Sequence, residues 1–412
     1  EPRLIAEDVS AFGQPLALAG LFPDGRIAVL DHDEAGEFYS LYAIDRQTGA
    51  RSLVFAREGY EVDAAVRDPW TREVVGVTWI ENERMQDYFD PALQAMYQRV
   101  RGAFPNGVAT LVSWSRDRNR VIVYGESGLD GGGYYLFSPV DGSMRRLAML
   151  YPDLRGANGG VRLAISYRAR DGQSVPAYLT LPPGQEEARN LPLVVLVHGG
   201  PASRDTLDFD YFAAFLASRG YAVLQPNFRG SRGYGSTWER AGWRQWGGLM
   251  QTDVEDGVAA LGRSGRIDPA RVCIAGASYG GYAALAGATL TPDRYRCAIS
   301  INGVSDLPEM LRVERAETGS DSISSDYWRG IIGDGREDRE AIRAVSPAFL
   351  AERVRAPVLL IASTDDTVVR IDQSRRMQRA LEAAGKEVRF VELEGDDHFL
   401  SDSATRIQTL RE

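Results

Sequence analysis

Hydrophobic and polar positions change their pattern along the chain near residue 160. Before it, apolar segments are short and follow turn-forming residues. Phe22-Pro23-Asp24-Gly25-Arg26 leads into 27–30, Arg67-Asp68-Pro69 into 74–77, and Trp114-Ser115-Arg116-Asp117 into 121–123. The three aspartates are 44 and 49 residues apart. Later stretches echo each other too, 42–45 before Thr48-Gly49 and 136–138 before Asp141-Gly142. A period in the forties with several short strands per unit predicts β-propeller blades. Three units fall short of the about four to eight that close a ring. The expectation is therefore a partial propeller over 1–155, with blades of the same protein missing from the N-terminal side. Residues 90–101 read as a helix inserted in the second unit, and His32 reads as structural.

Beyond 160 the runs lengthen. Two strand-like segments flank Asp171-Gly172 and stop at Pro182-Pro183-Gly184, and then Leu193-Val194-Val195-Leu196-Val197 is apolar without interruption. Such a run marks a strand covered on both faces, as in a parallel sheet. Helix-like and strand-like segments alternate afterwards, at 210–219, 222–225, 252–263, 272–275, 282–288, 297–301, 357–362, 373–384 and 388–392. Alternation of this kind predicts a doubly wound α/β domain over 156–412. Ligands of such sheets bind just past the carboxyl ends of the strands.

Four of those ends carry reactive or anion-binding groups. Gly276-Ala277-Ser278-Tyr279-Gly280-Gly281 joins a strand to a run of small residues, a G-x-S-x-G turn that exposes a serine at a helix start. Thr364-Asp365-Asp366-Thr367-Val368-Val369 follows one later strand, and Glu394-Gly395-Asp396-Asp397-His398 follows the next. Their order, Ser then Asp then His, is that of α/β-hydrolases. A serine hydroxyl needs a base to take its proton, and the imidazole needs a carboxylate to fix its tautomer. Ser278 is thus the candidate nucleophile and His398 the base. Asp366 is the candidate orienting carboxylate, with Asp365 a rival that spacing does not exclude. His198-Gly199-Gly200-Pro201 follows the first buried strand. Backbone N–H groups of Gly200 and Tyr279 are expected to receive an oxyanion, and His198 is expected to pack rather than act as a base.

Composition narrows the field without changing it. The formal charge of −10 argues against a nucleic-acid partner. Lys386 is the single lysine, which removes a P-loop. With three histidines and no H-E-x-x-H or C-x-x-C spacing, neither a zinc site nor another metal or cofactor is expected. Cys273 and Cys297 read as buried thiols, since two cysteines make no disulfide framework. No apolar run reaches the roughly 18 residues of a membrane span, so no membrane partner is expected. No signal-like segment opens the sequence, and the cytoplasm is favoured over the periplasm.

Taken together, His198-Gly199-Gly200-Pro201, Asn227-Phe228-Arg229-Gly230-Ser231 with Gly233-Tyr234-Gly235, the Ser278 turn, Asp366 and His398 resemble the prolyl oligopeptidase family of serine peptidases. The nearest branch is that of the acylaminoacyl peptidases. The resemblance covers about 160–412 and implies an α/β-hydrolase peptidase domain behind a propeller that restricts large substrates. It favours Asp366 over Asp365, places Val369 in the pocket for the residue before the cleaved bond, and suggests Tyr327 and Trp328 as aromatic walls. Three departures stand out. Ala362-Ser363 replaces a usual His-Gly, Arg370 replaces a common proline, and only 14 residues follow His398, so the usual closing helix looks clipped. His198 and Val368 stand where dipeptidyl peptidases have tyrosine and asparagine, which argues against that activity. The expected function is hydrolysis of short or size-restricted peptides through an acyl-enzyme. Lasso-peptide isopeptidases are similar in architecture, so cleavage of a branched or lasso peptide is one alternative. An esterase on small acyl esters is a second, and an inactive propeller binding protein is a third.

Overall fold

A computed structural model describes residues 16–105, 107–126, 131–154 and 159–412. The chain divides into two compact units, the first comprising 1–159 with 206–211 and 232–237, the second 160–205, 212–231 and 238–412.

Among its described residues the first unit holds three antiparallel sheets. They consist of β1 (Ala17–Leu21), β2 (Ile27–His32), β3 (Tyr39–Ile44) and β4 (Arg51–Phe55); β5 (Val62–Arg67), β6 (Val74–Ile80) and β7 (Arg84–Tyr88); and β8 (Ala109–Trp114), β9 (Val121–Gly125), β10 (Gly133–Phe137) and β11 (Met144–Met149). The repeated aspartates sit in the turn between the first two strands of each sheet. Asp24 accepts the Arg26 N–H, Asp68 those of Trp70 and Thr71, and Asp117 that of Asn119. A short carboxylate that satisfies N–H groups two and three residues ahead is what a tight hairpin turn needs. Asp45 and Asp141 do the same between the third and fourth strands of the outer two sheets. The middle sheet stops after three strands, and α1 (Pro91–Gly102) follows, with Asp90 capping the Ala92 and Leu93 N–H groups. Its residues Leu93, Met96, Tyr97 and Val100 are buried.

The second unit is built on one sheet of eight strands: β12 (Val161–Arg168), β13 (Ser174–Leu181), β14 (Leu191–Val197), β15 (Ala222–Pro226), β16 (Ile267–Ala277), β17 (Cys297–Ile301), β18 (Val358–Ser363) and β19 (Val388–Leu393). Their order is β12-β13-β15-β14-β16-β17-β18-β19. The β12–β13 and β13–β15 pairs are antiparallel and all later pairs are parallel. The carboxyl ends of β14, β16, β17, β18 and β19 therefore share one edge. Helices along the chain are α2 (Tyr211–Ser218), α3 (Ser236–Arg240), α4 (Leu249–Arg263), α5 (Tyr279–Leu290), α6 (Leu307–Thr318), α7 (Ile323–Ile331), α8 (Arg339–Ala344), α9 (Asp372–Ala383) and α10 (Ser403–Arg411). A helix thus forms after His398, where the sequence suggested a clipped one. Alternate residues of β14 are buried in two cores, Leu193, Val195 and Val197 in the one that takes nearly all of α5, and Val194 and Leu196 in another with Ala213 and Ala275, as the continuous hydrophobic pattern demands.

The thiol expectation is overturned. Cys273 and Cys297 form a disulfide with Cα atoms 4.8 Å apart. They are register partners on the adjacent parallel strands β16 and β17, so their side chains emerge side by side. A separation of 24 residues in sequence conceals that proximity.

Candidate active site

The turn after β16 places Ser278 in a left-handed conformation, with φ 58° and ψ −119°. Such backbone costs about 1–3 kcal/mol and persists only where its surroundings impose it. Here Ser278 donates its N–H to the Ile301 carbonyl and accepts the Tyr282 N–H, at 2.9 and 3.0 Å. The flanking glycines serve close approach rather than backbone strain, contrary to the simplest reading of the motif. A Cβ on Gly280 would lie 1.9 Å from the Val197 carbonyl oxygen, and one on Gly276 would lie 2.6 Å from the same atom. On Gly281 it would meet Gly303 at 2.7 Å. The missing side chains let α5 settle directly on the sheet, with the serine at its first turn.

Asp366 and His398 come together at the ends of the neighbouring strands β18 and β19. His398 Nδ1 donates to Asp366 Oδ2 at 2.7 Å. The other oxygen, Oδ1, accepts the N–H groups of Val368 and Val369, both at 2.8 Å. The pair is 9% and 0% exposed by side chain. Asp365 instead faces solvent and accepts the Thr364 hydroxyl, so geometry selects between the two aspartates. Donation from Nδ1 leaves Nε2 as the nitrogen able to take a proton.

Two residues passed over in the sequence hold this pair. Asn302, 1% exposed and at φ 46°, stands past β17. Its Nδ2 donates to Ser363 Oγ and to the His398 carbonyl, both at 3.2 Å, and its Oδ1 accepts the Ser363 N–H at 2.8 Å. One amide therefore ties the end of β18 to the loop bearing His398, and Ser363, a departure from the family pattern, is half of the tie. Asp396 is likewise buried. It accepts the N–H groups of Asp397 and Asp402 and the Thr405 hydroxyl, which fastens that loop to α10. Only the left-handed backbone at Asn302 hints at a special role, and sequence does not display it.

The His198-Gly199-Gly200 turn lies against the serine: a Cβ on Gly199 would sit 3.9 Å from Ser278 Oγ. Gly200 has φ 120°, open to glycine and strained for other residues. His198 is a support for this turn. Its ring stacks on Phe228 with centroids 4.5 Å apart. Nδ1 donates to the Gly199 carbonyl at 2.8 Å, and Nε2 accepts from Ser231 Oγ at 2.9 Å. Burial pushes its pKa down to about 4, so the ring is neutral. Arg229, between those two partners, is fixed by Asp253 through three contacts and by Asp171 through one. These hydrogen bonds hold its guanidinium pKa above the usual arginine range. Phe228 and Ser231, on either side of the anchored Arg229, thus buttress the turn through His198.

Tyr279 opens α5, where its N–H has no carbonyl one turn earlier to bond. Its side chain is buried against Trp246, Phe228 and Tyr282, so only its backbone is available to a substrate. Beside Ser278, Tyr279 and Gly200 opens a cavity of about 370 Å³. Val369 and Trp328 line it, joined by Trp246, Val304, Met310 and Val313. Tyr327 is absent from the lining and packs edge-on to Trp328, with ring centroids 5.1 Å apart. Arg370, the other departure, pairs with Glu317, and both line the cavity.

Residues 207–412, half of the chain, match the prolyl oligopeptidase family. The chain belongs to the prolyl oligopeptidase family. It is similar to the dipeptidyl aminopeptidase BIII of Pseudoxanthomonas mexicana, 30% identical over 92% of this chain and 56% of that protein. It is also similar to the acylamino-acid-releasing enzyme of Arabidopsis thaliana, 27% identical over 67% of this chain and 38% of that one. Among solved structures, a Mycobacterium tuberculosis puromycin-hydrolyzing peptidase matches with a TM-score of 0.75 at 25% identity, over 93% of this chain and 58% of that one. The chain spans about half the length of the curated relatives it matches. Membership in the prolyl oligopeptidase family agrees with the α/β-hydrolase sheet of the C-terminal unit, which follows antiparallel, blade-like sheets in the sequence.

Proposed function

We propose that this protein hydrolyses amide bonds of short or size-restricted peptides through an acyl-enzyme. Ser278 is the nucleophile, His398 the general base and then acid, and Asp366 the group that orients the imidazole. Ser278 Oγ bonds to the substrate carbonyl carbon while its proton passes to His398 Nε2. The resulting oxyanion is received by the N–H groups of Tyr279 and Gly200. Collapse breaks the C–N bond, and the amine departs with the proton from Nε2. Water then attacks the ester, its proton goes to His398, and that proton returns to Ser278 Oγ as the acid is released.

The reading is carried by the 2.7 Å His398–Asp366 pair at the same sheet edge as a strained serine that opens onto a 370 Å³ cavity. Size restriction rests on the blade-like sheets and on the resemblance to propeller-bearing peptidases. Relatives named for dipeptidyl and acylamino-acid release bring both kinds of substrate into scope, including the dipeptide release that His198 and Val368 argued against. The Cys273–Cys297 bond favours an oxidising compartment, such as the periplasm, over the cytoplasm.

A mixed peptide pool that includes branched and threaded members, read by mass spectrometry beside a p-nitrophenyl ester, tests this. Linear peptides are expected to be cleaved, and Ser278→Ala is expected to abolish cleavage. Ester turnover without any peptide cleavage would make the protein an esterase. Cleavage confined to branched or threaded peptides would make it an isopeptidase.

A further inference from the structure

The cavity beside Ser278 has an uneven charge distribution. One face of α6 lines it at Met310, Val313, Glu314 and Glu317, positions three and four apart that form a single stripe. In a helix packed on an apolar pocket, that stripe is expected to be hydrophobic throughout. Here its second half is acidic.

Most of the charges around the cavity are already matched. Arg312 donates to both oxygens of Glu309 at 2.7 and 2.9 Å, and Arg376 adds a third contact to that carboxylate. These contacts, led by the Arg312 hydrogen bonds, hold Glu309 below its usual range. Arg370 pairs with Glu317, and Arg375 stands 3.8 Å from Asp372. Glu314 differs. Its Oε1 accepts the Ser324 hydroxyl from α7, and among the described residues it has no cationic partner. Both cations of the lining, Arg312 and Arg370, are held elsewhere. The same lining that holds Glu314 and Ser278 offers apolar surface from Trp246, Trp328, Met310, Val313 and Val369.

We infer that Glu314 receives the cationic side chain of the substrate residue whose carbonyl Ser278 attacks, a lysine or an arginine. A long basic side chain lays its methylene stem on apolar walls and keeps its charge for the far end. A half-buried carboxylate with one hydroxyl donor supplies the counter-charge and an open acceptor oxygen. A carboxylate in the wall of such a pocket is how a peptidase selects a basic residue. The inference rests on the peptidase reading above and adds its substrate class.

The test uses anilide substrates acetylated at the amino end and differing only in the last acyl residue, arginine or its neutral isostere citrulline. A third, with norleucine, reports the apolar contribution. Free-amino versions of the norleucine substrate separate a side-chain cation from an α-ammonium group. The natural protein is expected to favour arginine over citrulline in kcat/KM by about 10–100-fold, the worth of one hydrogen bond to a charged group. In Glu314→Gln, which retains an acceptor for the Ser324 hydroxyl, that ratio is expected to fall to near unity, with citrulline turnover reporting a folded site. Three results would overturn the inference: no preference for arginine in the natural protein, an unaltered ratio in the variant, or a preference that follows the free amine. Turnover of citrulline and norleucine substrates under those outcomes would leave the peptidase reading standing. Failure to turn over any substrate would remove both.

Discussion

Acidification should destabilise the C-terminal unit through one half-buried ring. His198 is stacked on Phe228 and already uses both nitrogens, donating to the Gly199 carbonyl and accepting from the Ser231 hydroxyl. Adding a proton to Nε2 puts a donor against Ser231 and a charge in a site with no carboxylate among the ring's hydrogen-bond partners. Burial holds the folded-state pKa at about 4, against 6.5 for an open histidine, with the Arg204 charge also lowering it. Between those values the unfolded chain binds the proton and the folded chain does not, so stability rises with pH across the interval. The contribution is complete above about pH 6.5, declines as the pH falls, and is gone below about 4. Its full size is about 3 kcal/mol, at 1.36 kcal/mol per pKa unit. The assay is urea unfolding from pH 7.5 to 4, followed by amide-exchange protection of β14 and β16 and repeated for His198→Asn. Asparagine keeps a donor for the Gly199 carbonyl and cannot titrate. The natural protein is expected to lose about 3 kcal/mol more than the variant over this range. Parallel curves for the two proteins would refute the reasoning.

Other consequences follow from the same geometry. Asp366→Asn removes the carboxylate that fixes the His398 tautomer, and kcat is expected to fall by about 10⁴-fold, measured on a peptide anilide with KM little altered. Asn302→Ala cuts the tie between Ser363 and the His398 carbonyl. It is expected to cost about 1–3 kcal/mol of stability by denaturation and to lower kcat more than it raises KM, because the His398–Asp366 pair loses its fixed position. Cys297→Ser opens a loop of 24 residues and is expected to lower stability by about 3 kcal/mol relative to the oxidised protein. Alkylation before reduction should leave both cysteines of the natural protein unmodified.

The parts of the fold that the sequence disclosed are those where a local pattern has one physical cause. Continuous apolar runs mark strands covered on both faces, and so the carboxyl ends of β14, β16, β18 and β19 were open to inspection. At those ends stood His198, Ser278, Asp366 and His398. The blade-like sheets were legible through aspartates that cap hairpin turns, a use that requires a specific residue type at a specific place. What escaped depends on contacts between distant segments. Helix α6 went unassigned because its stripe facing the cavity carries Glu314 and Glu317, which breaks the amphipathic signature. Asn302 and Asp396 act by capturing backbone groups, and such roles leave no spacing to read. The register that joins Cys273 to Cys297 is a property of the sheet. The motif displays Gly276 and Gly280, but not that the approach of α5 to Val197 needs them.

The central claim is that Ser278 is an activated nucleophile, and the most direct measurement is the site and rate of its modification by a fluorophosphonate. The account predicts one adduct per chain, located on Ser278 by peptide mass spectrometry, slowed strongly in His398→Ala and absent in Ser278→Ala. An adduct on another residue, or equal labelling in the Ser278→Ala variant, would contradict it.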